Sequence, residues 1–182
     1  MRVLRDGDRV VACLMRIPMG QYFGGKSVPM VGIAGVAVAP EERGKGHARS
    51  LMQECLRECA AQGAPISTLY ASTQELYRQV GYEQAGHRFT TIVPYTQLEV
   101  DRRDATEDRG TEMMVAAATA TDEDEILACY AEFARTLDGM LNRGAYVWRR
   151  TRQMRDVMYA GWVVRVQGKI EGYVFVSQER DA

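Results

Sequence analysis

Between Val36 and Arg49 the chain runs Val36-Ala37-Val38-Ala39-Pro40-Glu41-Glu42-Arg43-Gly44-Lys45-Gly46-His47-Ala48-Arg49. A β-branched run ends, a short loop turns, and a helical pattern begins behind two glycines set among basic residues. Glycine lets backbone N–H groups face a ligand without an intervening Cβ. A helix N-terminus adds unpaired amides and the positive end of its dipole, so a phosphate group binds there readily. Arg43, Lys45 and Arg49 are read as mobile cations around a pyrophosphate. The bland alternative for Gly44 and Gly46 is a plain strand-to-helix turn. A second glycine-rich stretch, Gly20-Gln21-Tyr22-Phe23-Gly24-Gly25-Lys26-Ser27, formally fits the Walker A pattern. A true P-loop runs straight into a helix, whereas Val28-Pro29-Met30-Val31-Gly32-Ile33 reads as strand, with Pro29 where a first helical turn would form. It is read as a hairpin loop.

The elements that position the basic loop follow from periodicity. Arg9 to Arg16 is a valine-rich run bounded by Asp6-Gly7-Asp8 and Pro18. Met30 to Val38 is a second such run, and Gly32 and Gly35 inside it suggest a bulge or a close backbone approach. Gly46 to Ala61 carries Leu51, Met52, Cys55, Leu56 and Cys59 at helical spacing and stops at Gly63. Ile66 to Ala71 reads as a short strand, Thr73 to Val80 as a short helix ended by Gly81, and Arg88 to Val93 as another strand. Asp101 to Thr111 is charged and lacks an apolar pattern. Beyond it come a strand from Glu112 to Ala117, a helix opened by Thr121-Asp122-Glu123-Asp124, a helix from Ala145 to Gln153, and a hairpin about Gly168. This tail has little to close a core alone and is expected to dock on the first part. The expected organisation is therefore 1–98, a linker over 99–111, and 112–182.

At this point a resemblance becomes specific. Arg43-Gly44-Lys45-Gly46-His47-Ala48 matches every fixed position of the pyrophosphate motif of the GNAT acetyltransferases, Gln/Arg-x-x-Gly-x-Gly/Ala. Gly35 to Pro40 is similar to that family's central strand, whose splayed end holds the pantetheine arm through main-chain groups. Leu76-Tyr77-Arg78-Gln79-Val80-Gly81-Tyr82 resembles its aromatic-Tyr-x-x-x-Gly-aromatic motif, with Leu76 in place of the first aromatic. A narrower likeness is to the Eis-type (enhanced intracellular survival) tandem-GNAT proteins, through Ala71-Ser72, Leu141-Asn142-Arg143 near Trp148, and Gly172-Tyr173-Val174. The resemblance implies a GNAT-type mixed α/β sheet with flanking helices, followed by part of a second GNAT-like domain. It implies acetyl-CoA as co-substrate, held by Val36, Ala37, Val38, Arg43, Gly44, Lys45, Gly46, His47, Ala48, Arg49 and Ser72, and Tyr77 as general acid. Transfer would go to a primary amine of an aminoglycoside, a small polyamine or lysine. In the Eis-type group the residue after the serine is often acidic, and here it is Thr73. Those proteins take their general base from the C-terminal carboxylate of a further domain, and a full GNAT domain has a strand and two helices ahead of the strand placed at Arg9. The likeness thus implies a chain cut at both ends. Eis-type relatives are expected to assemble.

Composition narrows the partner. Of 182 residues, 46% are hydrophobic, enough for one good core, and the net charge of −1 offers no electrostatic attraction for nucleic acid or an anionic membrane. No apolar run approaches the roughly 20 residues of a membrane span, and the start, Met1-Arg2-Val3-Leu4-Arg5-Asp6, lacks a secretory h-region. Cys13, Cys55, Cys59 and Cys129 form no Cys-x-x-Cys pair, so no metal is expected, and reduced thiols in a cytoplasmic protein are the reading. His47 and His87 are read as surface residues, Met113, Met114, Met154 and Met158 as core or gap-filling residues, and Trp148 and Trp162 as packing the tail onto the rest. Two other functions remain open: a non-catalytic acyl-CoA-binding or regulatory module, and an inactive fragment.

Overall fold

A long β-hairpin organises the molecule, whose residues 1–87, 89–94 and 113–177 are described by a computed structural model. Strand β1 (Arg2–Asp6) pairs antiparallel with β2 (Arg9–Phe23), and β2 with β3 (Lys26–Val38). The β2–β3 turn is Gly24-Gly25 with φ of 54° and 74°, the left-handed values that a tight two-residue hairpin turn requires. The Walker-like stretch is therefore a hairpin, as its sequence context indicates. Pro18 does not end β2, contrary to expectation: it faces Val31 across the ladder. On the other edge of β2, β1 reaches no further than Leu14 and β6 (Leu141–Asn142) begins only at Gly20. Pro18 sits in the gap between them, where a missing N–H forfeits no ladder bond.

Strand β4 (Ile66–Leu69) adds to β3 in parallel, giving the order β1-β2-β3-β4 with β6 also on β2. Helix α1 (His47–Ala61) crosses over to make this parallel connection. Its Leu51, Met52, Cys55 and Cys59 are buried against Ala12, Leu14, Val31 and Ile33 of the sheet, with Met52 fully enclosed. Glu58 at the far end of α1 accepts hydrogen bonds from Arg2 (2.7 Å) and Arg16 (3.0 Å), fastening β1 and β2 to the helix. Of the strand expected at 88–93, the described residues 89–93 are in no strand, and Phe89 and Ile92 are 86% and 87% exposed. β-branched composition gives no strand without a partner edge.

The later residues form β5 (Met113–Ala117), α3 (Glu123–Ala134), α4 (Ala145–Arg152), the two-residue strands β7 (Gln153–Met154) and β8 (Val157–Met158), and the hairpin β9 (Ala160–Val166) and β10 (Lys169–Val176). β5, β9 and β10 make an antiparallel sheet that α3 covers through Ile126, Val163 and Ile170. The capping box ahead of α3 uses Thr119 and Asp122, two residues earlier than the sequence pattern suggests. This part docks on the tip of the long hairpin. Tyr22 packs with Tyr130 and Ala134, Tyr22 N–H donates to Met140 O (2.8 Å), and Gly24 N–H donates to Asp138 (2.7 Å). Trp148 borders that cluster, whereas Trp162 is 45% exposed and takes no part in it. Met113, Met114, Met154 and Met158, expected inside, are exposed. The linker expected over 99–111 lies outside the described residues. No described helix is long and apolar enough to cross a membrane.

Candidate functional site

Two strands that start together and then part create the site. β3 and β4 pair from Met30↔Ile66 to Ile33↔Leu69, where β4 stops while β3 continues to Val38. Along the same stretch Gly35 and Val36 stand opposite Leu14 alone, because Cys13 pairs with Ala37 and Met15 with Ala34. Two residues facing one is a β-bulge, and Gly35 adopts the left-handed φ of 60° that it needs. The bulge follows directly on the last β3–β4 pair, Ile33↔Leu69. From Ala34 onward, the edge of β3 that faced β4 has main-chain groups without a strand partner, and Val36, Ala37 and Val38 lie on it.

The opposite wall comes from the chain after β4. Ser72 is exposed there, and Thr73 starts the short helix α2 (Gln74–Arg78) without a side-chain capping bond. Tyr77 on α2 is only 8% exposed and belongs to the same apolar cluster as Val36, Val38, Leu69 and Ala71. Its ring meets Tyr82 edge-on, with centroids 6.2 Å apart and planes at 74°. Tyr82 is fixed in turn: its hydroxyl lies 2.5 Å from Ser67 Oγ, which donates to Val31 O at 3.1 Å. The Tyr77 hydroxyl has no hydrogen-bond partner among the described residues.

The basic loop closes the end of the notch. After β3 comes a one-turn 3₁₀ segment, Pro40–Glu42, then Arg43, Gly44 (φ 78°), Lys45 and Gly46 (φ 81°), which directly precedes α1. The first helical hydrogen bond is Ser50 N–H to Gly46 O at 3.0 Å. The amides of His47, Ala48 and Arg49 therefore have no intrahelical acceptor. No side chain caps them, and the first turn holds no acidic residue. A Cβ placed on Gly44 or Gly46 would meet no atom within 4 Å. Arg43 and Arg49 are exposed and, among the described residues, form no ion pair.

One residue of the loop is not apparent from the motif. Glu42 is 6% exposed, and its carboxylate accepts hydrogen bonds from Arg9 and from Lys45 Nζ at 2.8 Å, with His47 Nε2 at 3.3 Å. This revises two expectations. Lys45 is a tethered cation, and His47 is a half-buried member of the loop's internal bonding, not a surface residue. The hydrogen bond from Lys45, helped by His47 and Arg9 and opposed by burial, lowers the Glu42 carboxyl from 4.5 to about 2. A carboxyl depressed in the folded state stabilises the fold fully above its unfolded value and loses that contribution as pH falls towards the folded one. Glu42→Gln should accordingly melt well below the parent at pH 7, with the gap narrowing between pH 4.5 and 2. Melting curves at pH 7 and pH 3 check this, and an equal gap at both would separate the loop's stability from the Glu42 charge.

Comparisons with known proteins bear on the same segment. Residues 1–85 match the family model described as the acetyltransferase (GNAT) domain. An uncharacterised N-acetyltransferase of Streptomyces avermitilis is 30% identical over 116 residues, covering 64% of this chain and 27% of that protein. The N-acetyltransferase Eis of Mycobacterium tuberculosis is 35% identical over 106 residues, covering 56% of this chain and 25% of that one. The crystal structure of a GCN5-related N-acetyltransferase from Anabaena variabilis superposes with a TM-score of 0.83 at 31% identity, over 98% of this chain and 44% of that one. The chain thus spans about a quarter of the length of these curated relatives.

Proposed function

We propose that this chain, whose residues 1–85 match the acetyltransferase (GNAT) domain model, transfers the acetyl group of acetyl-CoA to a primary amine. The observation that carries the reading is the uncapped start of α1 behind Gly44 and Gly46, lying beside a strand end whose main-chain edge is open. The pyrophosphate of the co-substrate sits on the amides from Gly44 to Ala48, with Arg43 and Arg49 closing over its oxygens. Lys45, held by Glu42, acts from a fixed position. The pantetheine arm continues the ladder along Val36 to Val38, and Ser72 lines the far side. Residues 1–98 form the catalytic unit in this reading, and 112–182 belong to a second GNAT-like unit.

The chemistry follows from that placement. The neutral amine attacks the thioester carbonyl carbon, forming the C–N bond and a tetrahedral oxyanion. A main-chain N–H near Val36 to Val38 stabilises the oxyanion, a contribution of about 3 kcal/mol for one such donor. Collapse breaks the C–S bond, and the leaving thiolate takes a proton from Tyr77. The proton of the new ammonium passes to a base or to solvent. The acceptor amine belongs to an aminoglycoside, a small polyamine or lysine.

The near-complete burial of Tyr77 favours a second reading, in which the tyrosine only packs and the chain binds acyl-CoA without chemistry. One assay separates the two: free-thiol release from acetyl-CoA with an aminoglycoside, spermidine and a lysine peptide, beside melting curves with coenzyme A. Thiol release above the amine-free rate with any acceptor supports transfer. Stabilisation by coenzyme A with no release supports the binding module. Neither response would sink both.

A further inference from the structure

A hollow of about 650 Å³ opens between α3 and α4, away from the notch, with Leu127, Tyr130, Arg143, Trp148, Arg149 and Met158 in its lining. That volume suits a small molecule. The feature that gives it chemistry is Arg143, which follows β6 and is half-buried. Its guanidinium carbon lies 3.8 Å from the Tyr130 ring centroid and 4.9 Å from that of Trp148. Both rings are fixed: the Tyr130 hydroxyl donates to Leu141 O at 2.8 Å, and the two rings meet edge-on with centroids 5.2 Å apart. Arg143 Nη1 donates to the Tyr173 hydroxyl at 3.2 Å. Among the described residues no carboxylate pairs with Arg143, and none of its nitrogens is sealed off without a partner. The rest of its planar fork of donors is therefore open to an acceptor.

The surrounding charges point the same way. Arg149 stands on the rim over the Tyr146 ring and, among the described residues, has no carboxylate partner. Arg152 is already paired with Glu123, the one carboxylate in the lining. Three guanidiniums against one carboxylate make a cationic hollow in a chain whose net charge is −1. A guanidinium clamped by two rings loses little side-chain freedom when it binds, and its fork matches a carboxylate or phosphate.

We propose that this hollow is a second ligand site, which takes a small organic anion with a carboxylate or phosphate group on a flat apolar body. The anion meets the free edge of Arg143, and the body lies against Leu127, Trp148 and Met158. The site does not rest on the acetyl-transfer reading.

Isothermal titration of the 182-residue chain with phenyl phosphate and with benzoate tests it, benzyl alcohol serving as the uncharged control. One equivalent of at least one anion should bind, at least about tenfold tighter than benzyl alcohol. A preference between the two anions reports which group the site takes. Arg143→Lys keeps the charge but loses the fork, and should weaken binding at least about tenfold, with coenzyme A affinity unchanged. Arg149→Gln, a rim substitution that leaves the ring clamp intact, should weaken binding a few-fold and covers the case in which Arg143→Lys misfolds. Equal affinity for benzyl alcohol, unaltered binding in both variants, displacement of the probe by coenzyme A, or no binding to the folded parent at millimolar probe would each overturn the proposal.

Discussion

Replacing Tyr77 by Phe should lower kcat for acetyl transfer by about 10²–10⁴-fold while leaving the affinity for coenzyme A nearly unchanged. The substitution removes one oxygen and keeps the ring. That ring is buried in the apolar cluster that Val36, Val38, Leu69 and Ala71 border, and it meets Tyr82 edge-on, neither of which uses the hydroxyl. The hydroxyl has no hydrogen-bond partner among the described residues, so no buried acceptor is orphaned when it goes. The stability cost should stay within about 1 kcal/mol. If Tyr77 protonates the departing thiolate, the loss falls on kcat, because the proton is needed only as the C–S bond breaks. Thiol release at saturating acetyl-CoA, measured beside the melting temperature, separates the roles. Undiminished turnover would leave Tyr77 as a packing residue, and a collapse in melting temperature would show that the hydroxyl has a structural partner.

How much of this site could be read in advance depended on how local its cause is. The glycines of the loop were legible because their role is conformational: Gly44 and Gly46 take left-handed φ values that few other residues adopt, next to a helix whose apolar spacing is plain. Gly35 inside a β-branched run announced the bulge for the same reason. Glu42 was not legible, because its burial depends on Arg9, thirty-three residues earlier, and on the turn that folds Lys45 and His47 back over it. In the sequence it is one of two adjacent glutamates after a proline, with nothing to mark it as the inner one. Strand β1 was missed because Arg2, Arg5 and Asp6 conceal it, and only pairing with β2 makes it a strand. The reverse error at 89–93 has the same origin, since a strand was expected there where the described residues pair with no sheet edge. The open side of the notch likewise belongs to no single segment. It arises because β4 ends at Leu69 while β3 continues for five more residues.

Gly46→Ala should reduce the affinity for coenzyme A by about 10–100-fold and, through a separate effect that can be told apart, lower the stability of the free protein. At φ 81° a Cβ strains the backbone, at a cost of roughly 1–2 kcal/mol. That strain lowers the stability of the free protein whatever the loop does. The Cβ also adds bulk at the residue that directly precedes the α1 amides, on a side where no protein atom lies within 4 Å, and so beside the pyrophosphate in the proposed reading. Only the second effect concerns the ligand. Gly63, just beyond the other end of α1, supplies the control: its φ is 77°, a Cβ there likewise meets nothing within 4 Å, and it lies a whole helix away from the loop. Gly63→Ala should therefore lower the melting temperature by about as much as Gly46→Ala while binding coenzyme A like the parent. Titration calorimetry on the three proteins gives the comparison. If both variants bind equally well, the amides at the start of α1 hold no phosphate, and the acyl donor must enter the molecule elsewhere.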